Sequence, residues 1–358
     1  MINAVITGSG HYLPSNVVKN TDFLQHEFYD EGGNKIDKTN EEIIAKFQEI
    51  TEIKERRYLE KDLSNSQMAA MAANNALEDA GIDKETLDYV IVATNYGDIT
   101  SETQQSDIVP SISARVKHHL SIANIRCKPY DMTFGCPGWN EGLIMASQFI
   151  KAGLAKKILV VGSETLSRAL DPHDRSAMIF ADGAGAVVLE AKESDKEEGV
   201  IHHLTVSYNM EEMKYLMNTT SFNKDYKPTT ISIGMKGRKV YEFALRNVPD
   251  AIHQLLSEAD VDIQLIDKIL LHQANAKMDH AMVKRLYKLY GQEVPVGVDP
   301  MTVQLFGNSS VATVPTMFDL VAKNKLGDHH FTPGSYIVMG SVGAGMNINA
   351  ILYKFPEA

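Results

Sequence analysis

The chain has 358 residues, of which 44% are hydrophobic and 23% are charged, and its 35 basic and 46 acidic side chains give a net charge of −11. A chain of this size can bury a large core, and we expect two domains or one large double unit. The acidic balance argues against general nucleic-acid binding, but it allows an acidic partner to dock on a local basic patch.

The cysteine and hydrophobicity patterns restrict the class of protein further. Two cysteines, Cys127 and Cys136, give no disulfide framework and no metal or redox pair. The opening MINAVITGSGHYLP lacks the basic start of a signal peptide and instead predicts a first strand, and no apolar run is long enough to span a membrane. The histidines show no metal-ligand spacing. We therefore expect a cytoplasmic protein without a metal site.

Helical and strand-like segments alternate along the chain. Residues 66–81 are rich in helix formers and end at Gly81, a residue favoured just past a helix end. Residues 89–94 (YVIVAT) form a continuous apolar run, which is typical of a strand buried on both faces. The same rhythm predicts a helix near 112–120, a strand near 127–133, a helix at about 137–152 and a strand at 157–163. This alternation predicts an α/β layered fold.

The second half of the chain repeats the first. The segment at 78–95 resembles the one at 257–275, TFGC (133–136) matches LFGN (305–308), and ILVVGS (158–163) matches YIVMGS (336–341). Three matches in the same order and at nearly one offset indicate an internal duplication. We predict two similar α/β halves, residues 1–195 and 196–358, packed face to face.

The duplication brings three polar residues into one prediction. Cys136 and Asn308 fall at equivalent points where a strand gives way to a helix, and His272 follows another buried strand. Ligands of open α/β sheets gather at the carboxyl ends of strands, so we expect these side chains to meet between the halves. Pro137 suits a first helical turn, which places Cys136 at a helix N-terminus and predicts a lowered pKa for its thiol.

Each residue also has a structural interpretation. A free cysteine is more often a small buried hydrophobic residue, and we interpret Cys127 in this way. His272 alone could be a hydrogen-bonded core residue, and Asn308 could be a helix cap. The glycine-rich stretches at 181–189 and 340–347 do not complete a nucleotide-binding motif before a helix, so we predict tight turns that lead into strands.

Four segments in this order are characteristic of one enzyme family. TFGCPGWNEGL, DPHDRSAMIFADGAGAVVL, LLHQANAKM and LFGNSSVATVPT together resemble β-ketoacyl-acyl-carrier-protein synthase III, among the thiolase-fold condensing enzymes. The similarity extends from near the start of the chain to near its end. It implies an acyltransferase with a thiolase-like, five-layered αβαβα fold, usually a homodimer.

The resemblance assigns chemical roles to the predicted site. It implies that Cys136 attacks an acyl thioester and becomes acylated. His272 and Asn308 would then hydrogen-bond the carbonyl of a malonyl-type extender and stabilise the enolate that forms as carbon dioxide leaves. The backbone N–H groups of Cys136 and Ala344 would form the oxyanion hole, although the family usually has glycine at the latter position; alanine fits there if its φ is negative. No cofactor is implied besides the thioester of coenzyme A or of a carrier protein.

Further positions take binding roles from the resemblance. Val109 ends an unusually long loop (95–111) and stands where acetyl-specific members have phenylalanine, which predicts a primer longer or bulkier than acetyl. Arg168, Asn275 and Val342 match substrate-binding positions, the first two toward the pantetheine-bearing ligand.

The helix after His272 carries a basic stretch on an otherwise acidic chain. Lys277, Lys284 and Arg285 match the positions with which the family meets its acidic carrier protein. Local positive charge would steer that encounter, although such a run can also be an ordinary solvated helix face.

Departures from the family pattern leave alternatives open. The stretch at 40–50 (NEEIIAKFQEI) lacks the tryptophan and arginine that sandwich the adenine of coenzyme A, so the donor could be coenzyme A-bound or carrier-bound. Trp139 could line the pocket or pack the helix. The leading function is a priming condensation of fatty-acid type. The alternatives are a ketosynthase of secondary lipids or pigments (dialkylresorcinol or aryl-polyene type), acyl transfer or thioester hydrolysis without condensation, and a non-catalytic subunit.

Overall fold

The computed structural model describes residues 1–100, 102, 105–226 and 232–357, so part of the long loop at 95–111, namely residues 101, 103 and 104, lies outside the described residues. The described strands are β1 (Ile2–Tyr12), β2 (Asn16–Lys19), β3 (Glu55–Tyr58), β4 (Tyr89–Ala93), β5 (Asp98–Ile99), β6 (Ser106–Asp107), β7 (Lys128–Met132), β8 (Lys157–Thr165), β9 (Asp182–Glu193), β10 (Gly199–Ser207), β11 (Leu216–Thr219), β12 (Ser232–Met235), β13 (Ile266–Leu271), β14 (Tyr336–Gly343) and β15 (Asn347–Lys354). The described α-helices are α1 (Asn40–Thr51), α2 (Asn65–Ala80), α3 (Ile112–His119), α4 (Gly138–Lys151), α5 (Gly237–Glu258), α6 (Ala276–Leu289), α7 (Val303–Phe306) and α8 (Thr313–Ala322).

Two mixed sheets form the framework. The first has the order β1-β9-β8-β4-β7, in which β4 runs parallel to β7 and β8, while β9 is antiparallel to β8 and β1. The second has the order β10-β15-β14-β13, in which β13 and β14 are parallel and β15 is antiparallel to both of its neighbours. The predicted division after residue 195 falls in the connection between β9 and β10, so each predicted half contains one of these sheets.

Helices cover both faces of each sheet because side chains along a strand alternate between its faces. In the first sheet Ile91 and Val160 pack against α4 and α8, whereas Val90 and Val161 pack against α2. The second sheet packs on α4 and α8 with one face and on α5 and α6 with the other. The order of layers is therefore helix, sheet, helix, sheet, helix, and the predicted αβαβα fold is confirmed.

The predicted long elements are present, with their ends shifted by at most a few residues. Gly81 follows α2 with a left-handed φ of 63°, as expected of a residue that ends a helix. At 340–347, β14 leads into a turn at 344–346 and then into β15, in agreement with the predicted turn.

The glycine-rich stretch at 181–189 is an exception, because the predicted tight turn is wrong. Residues 182–193 form the continuous strand β9. A Cβ atom on Gly185 would lie 2.6 Å from the backbone nitrogen of Thr316 in α8. Glycine is needed here for close packing of the strand on the middle helix layer.

Among the described residues, the helices are too short or too polar to cross a membrane.

Candidate active site

Cys136 lies in the turn between β7 and α4, where the two halves meet. Gly135 before it has a left-handed φ of 67° and donates its N–H to Asn95 Oδ1 at 2.9 Å. Pro137 after it is the N-cap residue of α4. The Cys136 side chain is partly exposed, whereas Cys127 is buried in the outer core, in agreement with its structural interpretation.

The turn after β14 touches this nucleophile turn through backbone atoms. A Cβ atom on Gly343 would lie 2.5 Å from the Cys136 nitrogen, and one on Gly135 would lie 2.7 Å from the Ala344 nitrogen. The two amides expected in the oxyanion hole therefore belong to adjacent backbone segments. Ala344 is not among the residues with positive φ, so its conformation is one that alanine adopts without strain. The oxyanion hole itself stays a prediction.

His272 lies at the end of β13 and is 5% exposed. Its backbone N–H donates to the carbonyl oxygen of Gly340 at 2.8 Å. The next residue, Gln273, binds the Pro300 carbonyl through Nε2 at 2.7 Å and accepts the Thr302 N–H at 2.8 Å. Gln273 thus fixes the His272 segment against the chain that leads to Asn308. The sequence analysis did not assign a role to Gln273, although it lies inside the HQAN run.

Asn308 is 3% exposed and is held from both sides by backbone hydrogen bonds. Its N–H donates to the Ile179 carbonyl at 2.9 Å, and its carbonyl accepts the Ala181 N–H at 2.8 Å. The side-chain Oδ1 accepts the Ser310 N–H at 2.8 Å. Asn308 is not the cap of a helix, because Ser309 precedes the short helical turn at 310–312 and Ala312 precedes α8, so its Oδ1 makes only a local turn bond. Its NH₂ group could provide the donor of the predicted role, which stays a prediction.

Burial determines the protonation of both titratable groups. It lowers the pKa of His272 to about 4, against the effect of the Ser310 backbone, so the imidazole is neutral at neutral pH. Burial also raises the pKa of the Cys136 thiol to about 11. A hydrogen bond from Ser310 and, more weakly, the backbone N–H of Cys136 oppose this rise, whereas the charge of Glu164 adds to it. The predicted lowering of the thiol pKa is wrong, because burial outweighs the favourable position at a helix N-terminus.

A buried carboxyl group supports the nucleophile turn. Glu164 accepts the backbone N–H and the Nδ2 of Asn95 at 2.8 and 2.9 Å, the Tyr96 N–H at 3.3 Å and the Thr94 hydroxyl at 3.1 Å. Asn95 in turn accepts the N–H of Gly135. Burial raises the pKa of Glu164 to about 7, while its hydrogen bonds act in the opposite direction. The sequence analysis missed this chain of contacts, for which the only signal was the position of Asn95 after a buried strand.

A cavity of about 410 Å³ opens beside the site. Its wall includes Ala274 and Asn275, which lie shortly after His272 in the chain, and Ile179, whose carbonyl accepts the Asn308 N–H. Its charged wall residues are mostly cationic and comprise Lys38, Glu42, Lys46, Arg175 and Arg238. Its apolar wall comprises Ile43, Phe47, Ile50, Met178, Ile179, Met235, Val240, Ala274 and Met278. The α1 segment that departs from the family pattern thus forms one side of this cavity.

Two of the predicted substrate-binding residues, Asn275 and Val342, lie in different surroundings. Asn275 lines the cavity and also caps α6, because its Oδ1 accepts the Met278 N–H at 3.1 Å. Val342 is 7% exposed and packs between the second sheet and its outer helices. For both residues a substrate contact stays a prediction.

Arg168 does not lie in the cavity wall. It is 8% exposed, and its guanidinium donates to the backbone carbonyls of Glu60, Leu63 and Ile99, each at 2.8 Å. Those bonds hold the arginine inside the fold. The arginines of the cavity wall are Arg238 and Arg175, the second in the DPHDR segment that the sequence analysis quoted without assigning a role to this residue.

Val109 lies on the surface of the single chain, so its predicted place in an acyl pocket stays a prediction. The side chain is 81% exposed. Its N–H donates to Asp107 Oδ1 at 3.2 Å and its carbonyl accepts from Arg115 at 3.0 Å, and these bonds fix the residue at the surface. Trp139, in contrast, is 1% exposed and donates to the Val160 carbonyl at 3.3 Å, so it packs the helix.

The three predicted docking residues are exposed on α6. Lys277 lies near α1, since its charge, after that of Lys46, lowers the pKa of Glu49 on that helix. Arg285 pairs with Asp250 at 3.4 Å. In the part of the chain that the structure describes, His, Cys, Asp and Glu side chains form no group of three or more that could hold a metal ion.

Comparisons with known proteins agree with this architecture. The family model for 3-oxoacyl-[acyl-carrier-protein] synthase III matches residues 130–208, and the model for its C-terminal part matches residues 256–355. The β-ketoacyl-[acyl-carrier-protein] synthase III of Erythrobacter litoralis is 33% identical over 361 residues, which cover 99% of this chain and 100% of that protein.

Solved structures share the fold over nearly the whole chain. The 3-oxoacyl-[acyl-carrier-protein] synthase III from Aquifex aeolicus is 28% identical with a TM-score of 0.79, covering 98% of this chain and 100% of that one. The priming β-ketosynthase from the R1128 polyketide biosynthetic pathway is 25% identical with a TM-score of 0.81, covering 99% and 97%. With its paired sheets and a cysteine, a histidine and an asparagine at their junction, the chain belongs to the β-ketoacyl-acyl-carrier-protein synthase III family and is a condensing acyltransferase of that type.

Proposed function

We propose that this enzyme joins an acyl primer to a malonyl-carrier thioester through an acyl-Cys136 intermediate, with loss of carbon dioxide. One observation carries the proposal, namely that Ser310 contacts all three predicted catalytic residues. The Ser310 hydroxyl lies 3.3 Å from the Cys136 sulfur, and the Ser310 nitrogen lies 2.8 Å from Asn308 Oδ1. The Ser310 backbone lies close enough to the His272 ring to raise its pKa against the effect of burial. Residues from three distant parts of the chain therefore share one small neighbourhood.

In the first half-reaction the sulfur of Cys136 attacks the carbonyl carbon of the donor thioester. The new C–S bond replaces the bond to the donor sulfur, and the donor leaves as a thiol that takes up the proton lost by Cys136. The adjacent amides of Cys136 and Ala344 would stabilise the oxyanion between these two events. Because the free thiol is the nucleophile, we also propose a reducing compartment, the cytoplasm.

In the second half-reaction the malonyl carboxylate leaves as carbon dioxide and its bonding electrons form an enolate. Neutral His272 and the Asn308 amide each offer one N–H to the enolate oxygen. The enolate carbon then attacks the acyl-cysteine, and Cys136 leaves as a thiolate and regains a proton. The reaction uses thioester substrates alone and needs no metal or cofactor.

The charge of the cavity supports a phosphate-bearing donor. Four cations, Lys38, Lys46, Arg175 and Arg238, line it together with one acid, Glu42. The phosphates of coenzyme A and of carrier-bound phosphopantetheine share this chemistry, so the cavity fits either donor.

We propose that two copies of the chain associate through β7. This strand is the edge of the first sheet and carries Tyr130, which is 43% exposed. Ile125 lies three residues before β7 and is 94% exposed. Asp131 of β7 binds the first amides of α3, which brings the exposed Val109 to the same side. An open strand edge favours pairing with a second chain.

The dimer and the primer length are connected through Val109. Because this residue is exposed in the single chain, its small size can enlarge an acyl pocket only where a second chain covers it. We propose a primer longer or bulkier than acetyl on that basis. A ketosynthase of secondary lipids or pigments uses the same chemistry with another primer, and the altered α1 wall of the cavity favours it as the second candidate.

We further propose that an acidic carrier protein docks on Lys277, Lys284 and Arg285. All three are exposed on α6, whose first residues lie at the cavity. A carrier bound there could insert its phosphopantetheine past the cationic wall toward His272.

The first prediction concerns the nucleophile and its primer. Wild type and Cys136→Ala are each incubated with acyl-coenzyme A and acyl-carrier donors from C2 to C12 and with aryl donors, and intact mass is recorded. We expect an acyl adduct on wild type alone, strongest with C6–C10 or aryl donors. Acylation of Cys136→Ala would refute the mechanism, and a kinetic preference for acetyl would refute the larger primer. Carbon dioxide release from malonyl-carrier separates condensation from simple transfer or hydrolysis.

The second prediction concerns buried, neutral His272. In the folded protein the pKa of His272 is about 4, below the ordinary value of 6.5. As the pH falls between these values, His272 takes up a proton in the unfolded chain but not in the folded one, so protonation favours unfolding. From about pH 7 to about pH 5, wild type should lose roughly 2 kcal/mol more free energy of unfolding than His272→Asn does. Above about pH 7, His272 should no longer affect how the free energy of unfolding changes with pH.

Chemical denaturation at a series of pH values measures this difference, and His330→Asn, at an exposed histidine, is the matched control. Equal pH slopes for wild type and His272→Asn would contradict a buried neutral imidazole.

The third prediction concerns carrier docking. Lys284→Glu and Arg285→Glu, beyond the first turn of α6, should raise the KM for malonyl-carrier by about 3- to 10-fold and leave acylation by acyl-coenzyme A unchanged, because only the carrier meets this part of the helix. Lys192→Glu, near the opposite end of the first sheet, is the control. Steady-state kinetics at low and high salt test the idea. An unchanged KM, or an equal loss with both substrates, would rule out docking on α6.

The fourth prediction concerns assembly. Wild type should sediment at twice the mass of the chain, and Tyr130→Lys should shift it toward the monomer by placing like charges across the paired strands. Leu154→Lys, which changes another exposed apolar residue, should leave the mass unchanged. A monomeric wild type, or a dimer that withstands Tyr130→Lys, would exclude pairing through β7.

A further inference from the structure

Ser310 occupies an unusual position at the centre of the site. It is 4% exposed, and its φ of 53° is in the left-handed region, which residues other than glycine rarely adopt. This conformation turns the chain from Asn308 toward α8, and the Ser310 hydroxyl donates to the sulfur of Cys136 at 3.3 Å. Strained backbone conformations persist where the surrounding structure holds them, often at functional sites.

We propose that Ser310 is a fourth catalytic residue, whose hydroxyl stabilises the sulfur of Cys136 whenever that sulfur carries negative charge. This inference rests on the proposed function. The sulfur becomes anionic when the thiol is activated to attack the donor, and again when the acyl group departs to the enolate. Between these events it is a neutral thioester sulfur and a weak acceptor. A fixed O–H donor therefore favours the charged stages over the acylated ground state.

No covalent bond to Ser310 forms or breaks in either half-reaction. The hydroxyl keeps its proton and acts only as a hydrogen-bond donor, so no further reactant is needed. The contact also opposes the effect of burial on the thiol, since the hydrogen bond from Ser310 lowers the pKa that burial raises. The site thus supplies a donor to the sulfur at a position where burial disfavours the thiolate.

The backbone and the side chain of Ser310 act on different partners. The N–H holds Asn308 Oδ1, whereas the hydroxyl reaches Cys136. The neighbouring Ser309 provides a comparison, because its hydroxyl interacts with the Thr313 hydroxyl at 3.4 Å instead. Ser310→Ala keeps the Cβ atom, its strain and the N–H bond to Asn308, and it removes only the donor to sulfur. Ser309→Ala removes an equivalent hydroxyl one residue away.

The experiment combines a substrate-free and a catalytic readout. The rate of Cys136 alkylation by iodoacetamide is followed against pH in wild type, Ser310→Ala and Ser309→Ala to obtain the thiol pKa. Acylation by the best donor and carbon dioxide release from malonyl-carrier are then timed. We expect Ser310→Ala to raise the thiol pKa and to slow both half-reactions on the order of 10-fold or more, because a lost bond to a charged group has that effect. Ser309→Ala should resemble wild type.

The possible outcomes are distinct. A thiol pKa in Ser310→Ala equal to that of wild type overturns the proposal, and so does a raised pKa with unchanged rates of both half-reactions. If wild type forms no acyl adduct, the proposed function fails, yet alkylation still decides whether Ser310 stabilises the thiolate. If Ser310→Ala does not fold, Ser310→Gly removes the same hydroxyl and relieves the strained φ, and the same results apply to it.

Discussion

The contact between two backbone turns is the constraint on which the rest of this structure depends. Gly343 at the end of β14 and Gly135 before the nucleophile approach so closely that a Cβ atom on either would overlap the other turn. This approach sets the distance between the Cys136 and Ala344 amides. The middle helices α4 and α8 maintain it, because they pack against both sheets in one continuous core. A larger side chain at the contact would move the sheets apart and separate the two amides.

The same close packing creates an electrostatic problem at the site. A thiol, an imidazole and a carboxyl group are enclosed together, and enclosure disfavours the charged form of each. For His272 this suits the proposed chemistry, since a neutral ring can donate to an enolate without prior loss of a proton. For Cys136 it is unfavourable, because the thiolate is the better nucleophile. Nearby donors rather than nearby cations counter that penalty, which keeps the pocket suitable for an uncharged acyl chain.

Sequence reasoning predicted the fold and the central residues, because both are recorded in local patterns. Apolar runs predicted the strands, and the internal repeat predicted the two halves. Cys136, His272 and Asn308 lie in short segments whose residue order is characteristic of the family. Properties that depend on three-dimensional surroundings were not predictable. The thiol pKa depends on how far Cys136 is buried. Ser310 contacts Cys136, which is 174 positions away in the chain, and Glu164 contacts Asn95, which is 69 positions away. Arg168 shows the same limit, since a matched position does not reveal which way a side chain points.

The arrangement of the middle layer has a consequence for the origin of the fold. Helices α4 and α8 lie between the sheets, and the core around them draws apolar residues from both halves. A half separated between β9 and β10 would expose its inner helix and one sheet face to water. Two identical halves could cover that surface by pairing with each other. In such a symmetric pair the segments that precede the inner helices would be identical, whereas in this chain one segment carries the thiol of Cys136 and the other the amide of Asn308.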